Sequence, residues 1–476
     1  MRNPVERSSS QTHQINRRVF LGTLMANAAL PDASVPARRY LLLDRRIVER
    51  AEGVELKVGR VEKDRRNLLF GEDKPWEVRF DNLYANVLRD PATGLYRCWY
   101  SPFIVDEATR TTPRSERAAA RYRPRKREMG VCYAESRDGL SWRKPELGLV
   151  EFEGSKNNNL VLRGPHGAGV FLDAHEKESS RRYKMLYVDK IMAGAFSPDG
   201  LRWSSGLDFS TIAAVGDTHN NSIWVPSIGR YVGITRLWDR TAKQRIVGRT
   251  ESTDFSSWTK AVEVMRADPR HPEDQTYSMP IFEYEGSYIG LVTIFNTTTD
   301  TSRCELAWSA DTVHWERIDP GTPLIPLGPE GSYDSGCIYA AATPVVHDKE
   351  VWLYYGGSNG PHTGWRDGFF CLARLPRGRF AGFEPTRRAG SGTVVTKPVK
   401  VTSAQLRVNA DASGGELRVG VLGSDSFSVE RSNRIKADTL DGACIWRSGD
   451  LRPLVGKEVQ LLFDLHSARV FSFQFA

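Results

Sequence analysis

The sequence predicts an all-β protein, a five-bladed β-propeller followed by a C-terminal β-sandwich. Three observations predict it. A unit of four strand-like runs recurs five times, a Ser-x-Asp turn followed by Trp closes most copies, and shorter alternating strands take over after residue 390. The 12 Trp, 16 Tyr and 20 Phe suit pleated, half-buried surfaces, and 41 Gly and 25 Pro supply the turns.

The closing marker is the clearest repeat. It reads Ser136-Arg137-Asp138-Gly139-Leu140-Ser141-Trp142, then Ser197-Pro198-Asp199-Gly200-Leu201-Arg202-Trp203. It returns over 252–258 and 309–315, with a degenerate fifth copy at 370–380. The Asp accepts backbone N–H groups in a tight turn and the Trp covers the sheet edge, so these aspartates are structural. Two strand-like runs precede each marker. The first runs, at 84–88, 169–172, 222–225, 277–282 and 338–346, are expected to line the central channel. The propeller is thus expected over 38–390. The run Arg387-Arg388-Ala389-Gly390-Ser391-Gly392 reads as a linker, and 393–476 as the sandwich.

Residues 1–37 read as an export signal. Asn16-Arg17-Arg18-Val19-Phe20-Leu21 resembles a twin-arginine motif, a short apolar run follows, and Ser34-Val35-Pro36-Ala37 offers small residues for cleavage. The expectation is a periplasmic or extracellular protein with no inserted segment, since no run is long and apolar enough to span a bilayer. The six cysteines form no CxxC pair and sit in apolar strand patterns, as buried free thiols do.

The net charge is +8, with a basic run at 110–127. That run reads as a solvated mobile loop, or as a rim attracting an anionic glycan. No base-stacking platform accompanies it, so nucleic acid is not an expected partner. No cofactor motif is visible and no metal site is expected, although a channel-bound Ca²⁺ or Na⁺ ion is compatible with the acids below.

Four blades place an aspartate just before the inner strand: Asp81, Asp217, Asp274 and Asp334. In the second blade Asp173 lies at the far end of its strand instead. Carboxylates converging on a channel mouth suit glycoside hydrolysis, where one protonates the leaving oxygen and another activates water or attacks carbon. Glu251, beside Arg249 on a third strand, is the reserve acid, and His219, Asn220, Tyr277 and Arg249 are expected to bind substrate.

Trp76-Glu77 ahead of the first inner strand, the five units, and the segment 136–145 closing the first blade resemble glycoside hydrolase families 32, 43 and 68. These are five-bladed propellers of the invertase, arabinanase and levansucrase type, and the likeness spans roughly residues 40 to 385. The resemblance implies hydrolysis of an oligo- or polysaccharide by two aspartates and a glutamate. Asp81 matches the first aspartate, Asp217 the second with Asp173 as rival, and Trp76 and Glu77 belong to the sugar-binding set. Where invertases carry Glu-Cys-Pro this chain has Asp274-Gln275-Thr276-Tyr277, and Asn-Asp-Pro-Asn is absent. Two other readings stand beside it. One is a non-catalytic glycan-binding propeller. The other is a sialidase-like enzyme, since Ser-x-Asp-Gly-x-x-Trp resembles the sialidase Asp-box and Arg79, Arg236 and Arg249 could supply an arginine triad. The sequence leaves the oligomeric state open.

Overall fold

The computed structural model describes residues 38–476, so the export signal expected at 1–37 lies outside the described residues. Among the described residues helix is limited to Glu107–Thr111 and a few single 3-10 turns, and the rest is loop and sheet, antiparallel apart from one parallel bridge between Ser302 and Cys337.

Five blades, each built on a path of about four strands, follow one another along the chain, the last two joined into one sheet through the Ser302–Cys337 bridge. The first three are Asn86–Arg89, Tyr96–Tyr100, Arg127–Ser136 and Trp142–Arg143; His166–Leu172, Tyr183–Val188, Met192–Ser197 and Leu207–Asp208; and Asn221–Val225, Arg230–Asp239, Gln244–Ser252 and Val262–Met265. The fourth blade starts on Asp274–Ser278 and Ile281–Tyr284, either side of Pro280, and ends on Trp315–Ile318. The fifth starts on Cys337–Ala340 and continues through Glu350–Ser358 and Gly368–Pro376. Its outer strand comes from the N-terminal side, where Glu62–Lys63 and Phe70–Gly71 pair with Gly368–Pro376. After Pro376 the chain leaves the propeller. That is why the fifth copy of the Ser-x-Asp marker is degenerate: no fourth strand follows it for a Trp to cover.

Hydrogen bonds between neighbouring blades close the ring. Val170 N donates to Asn86 Oδ1, Asn220 N to Gly167 O, Ile281 N to Asn221 Oδ1, Ser302 N to Gly336 O and Ala342 N to Ala85 O. The inner strands approach so closely that a Cβ on Gly167 would lie 1.6 Å from Thr218 O. Gly167 also has φ +61°, a second reason for glycine there.

The Ser-x-Asp turns behave as their chemistry predicts. Asp138, Asp199, Asp254 and Asp311 each accept two backbone N–H groups through Oδ1 at 2.8–2.9 Å. Trp142, Trp258 and Trp315 donate indole N–H back to the turn. Asp254→Ala is therefore expected to lower stability by about 1–2 kcal/mol in chemical denaturation. Ligand binding at the channel should be unchanged, because the turn lies at the blade edge.

The sandwich is larger than 393–476, and the segment expected as a linker belongs to it. One sheet runs Val54–Val58, Ala381–Pro385, Arg469–Phe475, Leu406–Asp411 and Asp438–Cys444, with Arg39–Leu41 also on Arg469–Phe475. The other runs Val48–Glu52, Ser391–Thr396, Leu461–His466 and Glu416–Val421. Val394, Val408, Leu417, Phe463 and Phe473 pack between them. From Arg39 the described residues thus start in the sandwich, cross into the propeller near residue 60 and return near 380. All six cysteines are buried and free.

The basic segment 110–127 is packed where a mobile loop was one expectation. Trp365 Nε1 donates to Ala120 O at 2.7 Å, Arg117 lies over the Trp365 ring, and Arg79 lies 4.0 Å from the centre of the buried Tyr122 ring. The segment forms a wall beside one end of the channel.

Candidate functional site

The end of the channel where the inner strands begin carries a dense polar cluster. Asp81 accepts from Arg366 Nη2 at 2.7 Å and Arg79 Nε at 3.3 Å. Its neighbour Asn82 accepts from the same Arg366 and donates to the Tyr84 and Tyr277 hydroxyls, at 2.7 and 3.1 Å. Tyr277 connects this side to the next. Arg236 and Arg245 lie 5.1 and 5.2 Å from its ring centre, and Tyr339 and His362 meet it edge to face. Arg236 in turn pairs with Asp217, whose other oxygen lies 2.8 Å from His166 Nε2. Asp81 and Asp217 therefore belong to one cluster, linked through Asn82, Tyr277 and Arg236.

The two carboxyls share a charge state. Burial works to raise the Asp81 pKa, but Arg366 and Arg79 outweigh it and hold the carboxyl below its ordinary range. At Asp217 burial is likewise overcome, by the His166 hydrogen bond and the Arg236 charge. Both are anions at neutral pH, so neither is a proton donor. Burial and the Arg366 charge push His362 down to about 3, which leaves its imidazole neutral.

One carboxyl beside the cluster behaves in the opposite way. Glu72 Oε1 accepts from Phe80 N at 2.6 Å and from Gly368 N at 3.4 Å, while Oε2 lies 3.7 Å from Arg114 on the wall. Phe80 precedes Asp81, and Gly368 follows Arg366 by two residues. Burial, reinforced by the charge of Asp367, raises the Glu72 pKa to about 7 despite the Phe80 hydrogen bond.

The other expected residues lie apart from this cluster. Asp274 takes two guanidinium hydrogen bonds from Arg303 and one from Asn296, and Arg303 also binds the buried Glu305. Asp334 is buried between Lys63 Nζ at 2.6 Å and Tyr355 OH at 2.8 Å, where it ties the N-terminal strand into the fifth blade. Asp173 binds Lys184 at 3.0 Å and Tyr231 OH at 2.7 Å, at the opposite end of the strand that His166 begins. Glu251 pairs with Arg249 six residues along the strand from Arg245, towards the opposite end of the blade. Arg249 therefore does not meet Arg79 and Arg236, so the three arginines do not gather as a triad.

Glu77 is buried against Lys144 and Tyr100 OH, and Trp76 donates to Asn159, so both brace the first blade. His219 is buried deeper in the channel on Asn86 Oδ1, and burial lowers its pKa to about 3. Asn220 clasps the backbone of Gly167, Gly216 and Thr218. Of the expected binders, Tyr277 alone stands within the cluster.

Sequence reading missed His166, Arg245, His362, Arg366 and Glu72. His166 was within reach, because it stands at the start of an inner strand as the aspartates do. His362 and Arg366 sit in the loop between Glu350–Ser358 and Gly368–Pro376, where no strand rule applies. Among the described residues no three His, Cys, Asp or Glu side chains gather as a metal site. A cleft of about 620 Å³ lies between the last blade and the sandwich. Its Arg379 and Arg469 are already paired with Asp438 and Glu384, which makes it a seam between the two parts.

No protein-family model matches the chain and no curated protein matches it. Solved structures do. An N-acetylgalactosamine deacetylase from F. plautii, in complex with blood group B trisaccharide, is 14% identical over 69% of this chain and 97% of its own, at a TM-score of 0.46. A glycoside hydrolase is 15% identical over 64% and 92%, at 0.42. A structure from work on GH130 mannoside phosphorylases and hydrolases that target β-1,2-mannosidic linkages in Candida mannan is 14% identical over 66% and 94%, also at 0.42. At these TM-scores the blade count rests on strand pairing alone, and the chemistry on the cluster.

Proposed function

We propose that the channel mouth binds a glycan and hydrolyses a glycosidic bond. The observation that carries this reading is the convergence of two anionic carboxylates, Asp81 and Asp217, among tyrosine rings at one end of the channel. Asp217 is the more open, with 53% of its side chain exposed, and takes the role of base. It accepts a proton from water, the water oxygen attacks the anomeric carbon, and the bond to the leaving oxygen breaks. The leaving oxygen takes its proton from Glu72, the carboxyl that burial keeps protonated near neutrality. Asp81, held rigidly by Arg366, stabilises positive charge developing on the sugar ring. The twin arginines Arg17 and Arg18 support export, which would place the activity outside the cytoplasm.

The test is reducing-end release from aryl glycosides and from plant and algal polysaccharides, measured beside binding of the same glycans. Release by the wild type that disappears in Asp217→Asn supports the reading. Binding without release from any substrate would favour a non-catalytic glycan-binding propeller, a reading supported by the occupation of both carboxylates by arginine.

A further inference from the structure

The charges of the mouth do not balance. Arg79 and Arg366 share Asp81, and Arg236 holds Asp217. Arg245 gives an N–H to Gln275 Oε1 at 2.6 Å and has no carboxylate partner among the described residues. Four guanidinium groups thus stand against two carboxylates. Arg236 is 4% exposed, and its Nε and Nη1 have no hydrogen-bond partner, nor has Nε of Arg245 or Arg366. Guanidinium cations removed from water with N–H groups left unpaired and too few carboxylates leave a positive potential, and that potential is focused in a recess. The wall continues the same sign outward, since Arg121, Arg123 and Arg125 are all exposed.

We infer that the mouth takes an oxyanion beside the sugar-binding surface, with half-buried Arg245 as its contact and Arg236 behind it. This rests on the carbohydrate reading and adds a substrate class to it, glycans bearing carboxylate or sulfate groups. Arg245 suits the role because its planar fork can take an oxyanion through two N–H groups. The Tyr277 and Phe295 rings hold the guanidinium in place, at 5.2 Å from each centroid.

The experiment is calorimetric titration of the full chain with an oligogalacturonide, with a neutral galacto-oligosaccharide of equal length, and with that neutral sugar plus inorganic phosphate. The acidic sugar should bind at least about tenfold more tightly than the neutral one in low salt. The advantage should shrink as salt rises and disappear in Arg245→Gln, with Arg245→Lys retaining part of it. Arg236→Met serves as a second variant, and thermal melts identify any variant that fails to fold. A neutral sugar that gains affinity only with phosphate assigns the anion to solution and still supports the anion site. Equal binding of acidic and neutral sugars, with or without phosphate and whatever stands at 245, overturns it. Cleavage of neutral glycans alongside such equal binding would leave the hydrolase reading intact. A preference for the acidic sugar without cleavage would leave this inference intact and remove the other.

Discussion

Asp217→Asn should lower glycan hydrolysis by about 10²–10⁴-fold, the range expected when a positioned base is lost. The folded state should lose less stability than in Asp81→Asn: among the described residues Asp217 is the only carboxylate partner of the buried Arg236, but half of its own side chain is already in water and solvent screens the pair. Asp81→Asn should remove activity to a similar degree but fail differently. Asp81 is the counter-ion of Arg366, whose side chain is fully buried, and of Arg79, which is 2% exposed. Taking the charge from such a pair strands the cation, an effect of about 3–5 kcal/mol. Hydrolysis rates and denaturation midpoints measured on both variants separate the roles. Full activity in Asp217→Asn would remove it as the base. A stable Asp81→Asn protein would show that Arg366 finds another acceptor.

That contrast marks where sequence reading reached its limit. Asp81 and Asp217 were legible because a propeller aims the residues before each inner strand at one mouth. The same rule selected Asp274 and Asp334, which the fold instead engages in ion pairs apart from the cluster. Arg303, two strands over in the same blade, turns Asp274 into an ion-pair partner, and Lys63 from the N-terminal closing strand does the same to Asp334. Pairing of this kind depends on residues 29 and 271 positions away, which periodicity does not report. The five blades were legible because their turns are local: each Asp acceptor and its N–H donors lie within three residues. The sandwich was only half legible, since its sheets recruit Val48–Glu52 and Val54–Val58 from the far end of the chain. Glu72 offered no signal, because its raised pKa arises from burial among Phe80, Gly368 and Asp367 after folding.

Glu72→Gln should change both the pH profile of activity and the pH dependence of stability. The folded protein holds the Glu72 proton up to about pH 7, whereas an unfolded chain releases it near the ordinary glutamate value. The resulting stabilisation is fully present below the unfolded pKa and is lost as pH rises through about 7. The shift corresponds to about 3 kcal/mol. The charged groups facing Glu72 are Asp367, Arg79 and Arg114. His219 and His362 act with the opposite sign. Their folded pKa values of about 3 mean that their stabilisation is present above the unfolded histidine pKa and fades as pH falls. The wild-type curve contains both effects, so the quantity to read is the difference between wild type and Glu72→Gln between pH 4 and 8. That difference should slope, with the wild type relatively less stable towards pH 8. Activity gives the second readout. A proton donor with a pKa near 7 imposes a falling limb on kcat/KM above neutrality, and Gln removes that limb along with most of kcat. Substrates with a dinitrophenyl leaving group need little protonation and should lose far less. A Glu72→Gln enzyme that keeps the wild-type limb, and slows both substrate types equally, would take the donor role away from Glu72.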